Sequence, residues 1–134
     1  MTSQAIKLFV PRDTSACALG ADEVARRLVK HFDEINESVD VIRNGSRGLY
    51  WLEPLIEIES ESGRVAYGPI KPSDVEEFIA QSCWMINTSH PKYLGLTEEI
   101  PYLKKQNRIT FARVGLIDPL SVSDFKNYAG FAGL

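Results

Sequence analysis

An α/β domain of order β-α-β, loop, β-β-α is predicted by three observations. Residues Ala5-Ile6-Lys7-Leu8-Phe9-Val10 alternate as a strand does. A helical stripe follows at Val24, Leu28, Val29, Phe32 and Ile35. Two short apolar runs then flank the turn Glu61-Ser62-Gly63, which predicts an antiparallel hairpin.

The elements follow in order. In the first strand Ile6, Leu8 and Val10 share one face and Phe9 takes the other, because successive side chains point to opposite sides. Residues 11–15 read as a loop. Gly20 precedes the helix, Asp22 and Glu23 sit in its first turn where the helix dipole favours them, and it is expected to end near Asn36. A second strand covers 39–43. Asn44-Gly45-Ser46-Arg47-Gly48 is a loop, since two glycines and an Asn-Gly pair break regular structure. Strands are predicted at 54–58 and 64–67. Pro72-Ser73 opens a second helix with a capping box of Ser73 and Glu76 and an apolar face of Val75, Phe78 and Ile79. A β-α-β unit crosses over right-handed, so its two strands are expected to be parallel. This is the order of a thioredoxin-like domain. A ferredoxin-like arrangement competes, but it places a helix before its final strand.

After Gln81 periodicity is lost. His90-Pro91, Gly95, Pro101 and Pro119 punctuate the stretch, with a short strand expected at 109–114 and one or two helical turns at 121–127 capped by Ser121. A tail this long wraps another domain or links to one. The expected division is a thioredoxin-like domain at 1–82 and an extended linker at 83–134. The ending Ala129-Gly130-Phe131-Ala132-Gly133-Leu134 is apolar and glycine-rich and reads as an interruption of a longer chain.

Composition narrows the class. The 134 residues suit one domain with a tail, and 44% hydrophobic with 25% charged residues supports a packed core. The net charge of −3 gives no basic surplus for nucleic acid or an anionic membrane, and no apolar run approaches a membrane span. Residues 1–7 lack a basic start followed by an apolar stretch, so no signal peptide is expected. Two cysteines, Cys17 and Cys83, fit a reduced, cytoplasmic setting, although one disulfide is compatible with the sequence.

Chemistry-bearing residues are sparse. There is no Cys-x-x-Cys pair; Cys17 precedes a helix whose N-terminus could lower a thiol pKa, but it reads better as a small buried hydrophobe. Cys83, His31 and His90 are too scattered for a metal site. Glu57, Glu59 and Glu61 alternate on one strand face, read as a solvated or docking surface and not as acid/base catalysts. Arg43, Arg47, Tyr50 and Trp51 mix basic and aromatic residues. Such a mixture can stack on bases, but with negative net charge it reads better as a protein interface with Arg47, Tyr50 and Trp51 as anchors. No glycine-rich phosphate loop is present. The chain alone is expected to be non-catalytic.

The loop and hairpin carry a resemblance. The run from Asn44-Gly45-Ser46-Arg47-Gly48-Leu49-Tyr50-Trp51 through Glu53-Pro54 to Gly68-Pro69, and the stretch Leu94-Gly95-Leu96-Thr97-Glu98-Glu99-Ile100-Pro101-Tyr102, are similar to the N-terminal part of the β (diaphorase) subunit of soluble NAD-dependent formate dehydrogenases. Gly115-Leu116-Ile117-Asp118-Pro119 and Asp124-Phe125-Lys126-Asn127-Tyr128 resemble a wider family. That family includes the flavin-bearing NADH-oxidising subunits of complex I and of NAD-reducing hydrogenases. The resemblance implies a parent that passes electrons from formate to NAD through FMN and iron-sulfur centres. FMN, NAD and a [4Fe-4S] cluster would belong to that parent and none to this chain. Other subunits of the complex and the parent's FMN/NADH domain would be the partners.

In related domains a thioredoxin-like fold holds a [2Fe-2S] cluster by four cysteines, the second pair as Cys-x-Gly-x-Cys with a proline four residues on. Aligned on Gly48 and Pro54, those positions hold Ser46 and Tyr50, and the first pair falls near residues 13–17, where Cys17 is the one cysteine. The resemblance therefore implies a scaffold that has lost its cluster. The alternatives are the same domain in an NAD-reducing hydrogenase or a complex I-like NADH dehydrogenase, or a free-standing thioredoxin-like binding module.

Overall fold

The computed structural model describes residues 5–133, so Leu134 and the start of the 1–7 segment read for a signal peptide lie outside the described residues. Four predicted strands are present as β1 (Ile6–Phe9), β2 (Val39–Ile42), β3 (Ile56–Ser60) and β4 (Gly63–Tyr67). β1 pairs parallel with β2, Leu8 opposite Val41, and antiparallel with β3, Leu8 opposite Ile58. β3 and β4 form the expected antiparallel hairpin, Ile58 opposite Val65. A fifth strand, β5 (Tyr93–Leu96), pairs antiparallel with β4 and completes the sheet order β2-β1-β3-β4-β5. β5 lies beyond residue 82, where the core was expected to stop. The core unit therefore takes in part of the stretch read as an extended linker.

Helices cover one face of the sheet. The 11–15 loop is shorter than expected, because a single helical turn, α1 (Thr14–Ala18), follows Asp13. The long helix α2 (Ala21–Glu34) starts after Gly20, whose φ of +98° suits glycine, with Asp22 and Glu23 in the first turn as expected. Val24, Leu28 and Phe32 bury along one stripe, while Val29 and Ile35 are exposed. The reason is angular: residues four apart stay in register with the sheet, whereas Val29 is rotated about 100° from Leu28. α3 (Val75–Ala80) buries Val75 and Phe78, but its start differs from the predicted box. A 3-10 turn at Pro72–Asp74 precedes it, and the Asp74 carboxylate accepts the Lys71 amide at 2.8 Å. The main apolar core lies between these helices and the sheet, with Leu8, Val10, Ile56, Ile58, Val65, Tyr67 and Cys83 within it.

The other face of the sheet is covered by the tail. Leu49, Leu55 and Ala66 pack there against Ile100 and Leu103, the latter from the short helix α4 (Pro101–Lys104). Residues 109–114 do not form the expected strand. The Val114 amide bonds back to the Phe111 carbonyl and the Leu116 amide just beyond to Arg113, so the chain turns here and forms no ladder. α5 (Val122–Asn127) is capped as expected by Ser121, whose Oγ accepts the Asp124 amide at 3.1 Å. Among the described residues no helix is long and apolar enough to cross a membrane.

Candidate functional site

The polar centre of the molecule lies where the loop after β2 meets the tail. β3 points Ile56 and Ile58 into the main core, so the pleat sends Glu57 to the opposite face, beneath the tail. There Glu57 is sealed from solvent and binds the guanidinium of Arg47 twice, at 2.8 and 3.2 Å. Arg47 also donates to Glu98 at 2.7 Å, and Glu98 in turn accepts from Arg108 at 2.7 Å. Burial alone would weaken the proton affinity of Arg47, but the charges of Glu57 and Glu98 hold its pKa above the ordinary arginine value.

Tail residues 115–118 are stitched to this centre mainly through their backbone. The Asn44 amide donates to the Gly115 carbonyl at 2.8 Å and to Glu57 at 3.1 Å. Arg64 reaches the Gly115 and Leu116 carbonyls at 3.0 and 2.7 Å while lying 3.5 Å over the Phe9 ring. The Gly45 amide bonds the Ile117 carbonyl, and Arg12 grips Asp118 with two bonds of 3.0 and 3.1 Å. Gly115 has φ +80°, and a Cβ there would stand 2.6 Å from Arg47 Nε, so only glycine lets the tail approach this closely.

These contacts correct two sequence expectations. Arg47 is not an exposed anchor, since its side chain is 2% accessible. Glu57 is not on a solvated face, although Glu59 and Glu61 are exposed. Tyr50 and Trp51, in a 3-10 turn, are 62% and 60% exposed, and Trp51 meets Tyr102 edge to face at 5.4 Å. The sequence reading did not single out Glu98, Arg108, Asn44 or Asp118. The signal available was a charge pattern: Arg43 and Arg47 lie four apart with no acidic residue between them.

The two loops that the resemblance aligns with a cluster site also meet here. The Ser46 amide donates to Asp13 at 2.8 Å, Ser46 Oγ bonds the buried Glu53 carboxylate, and the Gly48 amide donates to Ser46 Oγ at 2.9 Å. Cys17 Sγ lies 3.3 Å from the Arg12 carbonyl and 3.4 Å from Asp22. Burial and the Asp22 carboxylate push its thiol above the usual value, the reverse of a reactive thiolate. Burial pushes Cys83 up to about 11, inside the apolar core. A cavity of about 430 Å³ opens beside the loops, bounded by Asp13, Tyr50, Tyr102, Arg108 and Phe111.

No family model and no curated relative matches the chain. Among solved structures it is similar to a cysteine-to-serine variant of the thioredoxin-like [2Fe-2S] ferredoxin from Aquifex aeolicus, with TM-score 0.55 and 19% identity over 67% of this chain and 98% of that one. A second such variant matches with TM-score 0.54, 17% identity and the same coverage. The chain thus has a thioredoxin-like α/β fold, with a C-terminal extension beyond the aligned region.

Those similar proteins are [2Fe-2S] ferredoxins, and the residues present in this chain do not fit such a group. The cluster needs four soft donors that converge. Here Ser46 is committed to Glu53 and Gly48, Tyr50 is a surface phenol, and Cys83 lies in the apolar core. Among the described residues no group of three or more His, Cys, Asp or Glu side chains is placed to hold a metal ion.

Proposed function

We propose that this chain is a cluster-free, non-catalytic domain of a diaphorase-type subunit in NAD-dependent formate oxidation, and that its task is to dock neighbouring parts of the complex. The observation that carries the docking role is the placement of apolar surface. Of the fourteen large hydrophobic side chains most exposed among the described residues, ten belong to Tyr50, Trp51, Tyr102 and the tail at 109–131. Exposed apolar surface gathered on one segment marks an interaction site, and Tyr and Trp are its usual anchors. Asn44, Arg64 and Arg12 bond residues 115–118 of that segment to the core. The formate branch is supported by the similarity of the Arg43-Asn44-Gly45-Ser46-Arg47-Gly48 stretch.

In this reading FMN, NAD and [4Fe-4S] chemistry belongs to a neighbouring domain of the parent. The chain's own residues bind and position that neighbour and move neither hydride nor electron. The test is to follow the coding sequence past Leu134 and purify the product of the intact gene with its neighbouring subunits. A flavoprotein complex that reduces NAD with formate is the expected result. A stop codon directly after Leu134, with a flavin-free product, overturns the reading in favour of a free-standing binding module. NAD reduction driven by hydrogen and not by formate moves the parent to the hydrogenase branch.

A further inference from the structure

The cavity beside the degenerate loops has a charge pattern of its own. Two cations line it, Arg47 and Arg108, and both are already paired: Arg47 with Glu57 and Glu98, Arg108 with Glu98. Those two cations and two carboxylates cancel. Glu57 and Glu98 stand behind the lining, and the one acidic side chain on the wall itself is Asp13. Its Oδ2 accepts the Ser46 amide, while its Oδ1 has no hydrogen bond and its carboxylate no ion pair among the described residues.

Ser46, Gly48, Gln106 and Val114 also line the cavity, beside three aromatic residues. Tyr50, Tyr102 and Phe111 line the cavity and are 62%, 53% and 65% exposed. Aromatic faces carry a negative quadrupole and attract cations, and an unpaired carboxylate selects the same sign. The net charge of −3 steers cationic partners toward the chain at longer range. A guanidinium fits better than an ammonium, because it stacks flat on rings and meets a carboxylate with two parallel bonds. We propose that this cavity receives an arginine side chain presented by a partner polypeptide. The proposal rests on the docking reading above and supplies the chemistry of the partner at that surface.

The test titrates the full chain with acetyl-Gly-Arg-Gly-amide and with its citrulline and glutamate counterparts, following backbone amide shifts by NMR. The arginine peptide is expected to move the amides of Asp13, Gly48 and Phe111, the neutral citrulline peptide to move them far less, and the glutamate peptide not at all. Asp13→Asn retains a carbonyl for the Ser46 amide and is expected to weaken binding about threefold, as is Tyr102→Leu. Citrulline or glutamate matching arginine overturns the proposal, as do unmoved amides with arginine. Because citrulline is compared on the unaltered chain, the result stands even if a variant folds poorly. Sedimentation of the same samples separates the two ideas. A chain that self-associates through its apolar face yet ignores the arginine peptide overturns this proposal alone, whereas a strict monomer that ignores it overturns both.

Discussion

The Arg47 guanidinium lies 2.8 Å from the Glu57 carboxylate, with side chains 2% and 1% accessible. Two opposite charges at that depth repay their desolvation only when the remaining lone pairs and protons are also bonded. Here Glu57 takes a further bond from Asn44, and Arg47 gives one to Glu98. The pair thus joins loop, strand and tail in one network.

Removing one member strands the other. Arg47→Met leaves a buried carboxylate without its cation and is expected to cost about 3–5 kcal/mol of stability. Adding Glu57→Gln removes the orphan charge while keeping an acceptor for Asn44, so the double variant should recover most of that loss. Urea unfolding of both proteins measures it. Equal losses in the single and double variants would show that Arg47 acts by its bulk and not by its charge.

Glu98 gives the network a pH dependence. Burial would raise its pKa, but the charge of Arg47 and then the hydrogen bond and charge of Arg108 outweigh that and hold it below the usual 4.5. A carboxylate depressed in the folded state stabilises the fold above its unfolded pKa. The contribution is lost as pH falls through the folded pKa. Melting temperature should therefore drop as pH falls below 4.5. Glu98→Gln should lower stability at neutral pH and flatten that drop, and an unaltered acid slope in the variant would assign the effect to other carboxylates such as Asp74.

What was legible in the sequence was local. The stripe Val24-Leu28-Phe32 repeats within one helix, the Glu61-Ser62 turn lies between its own strands, and Ser121 finds its amide three residues on at Asp124. What was hidden depends on contacts distant in the chain. β5 is four residues long with a glycine at φ +81°, so it carries no alternation, and it exists because β4 offers an edge. Glu57 and Glu59 share a face by parity, but the tail covers only the first. Arg47 reads as a surface residue beside Tyr50 and Trp51 because its ligand Glu98 comes 51 positions later.

The thiol chemistry is equally testable. With Ser46 and Tyr50 at the expected ligand positions and both thiols shifted up, the purified chain should contain iron and acid-labile sulfide far below one cluster per chain. At neutral pH both cysteines should react slowly with alkylating reagents, Cys83 the more slowly because it is buried. Stoichiometric iron and sulfide after anaerobic purification would mean that donors outside the expected set bind the cluster.

The apolar face makes the last prediction. The tail is bonded to the core at 115–118, so it cannot hide its side chains by folding back, and Phe111 and Leu120 stay 65% and 74% exposed. Covering one such side chain is worth about 1.5–3 kcal/mol, so a few of them suffice to draw two surfaces together. The isolated chain is therefore expected to self-associate with rising concentration in light scattering. Phe111→Ser with Leu120→Ser should return it to a monomer while changing stability by no more than about 0.5 kcal/mol per site, since both residues lie outside the packed core. If the variant pair instead unfolds the chain, these side chains are part of a core. If it stays folded and still self-associates, the interface lies elsewhere, with the exposed edge of β2 the next place to look.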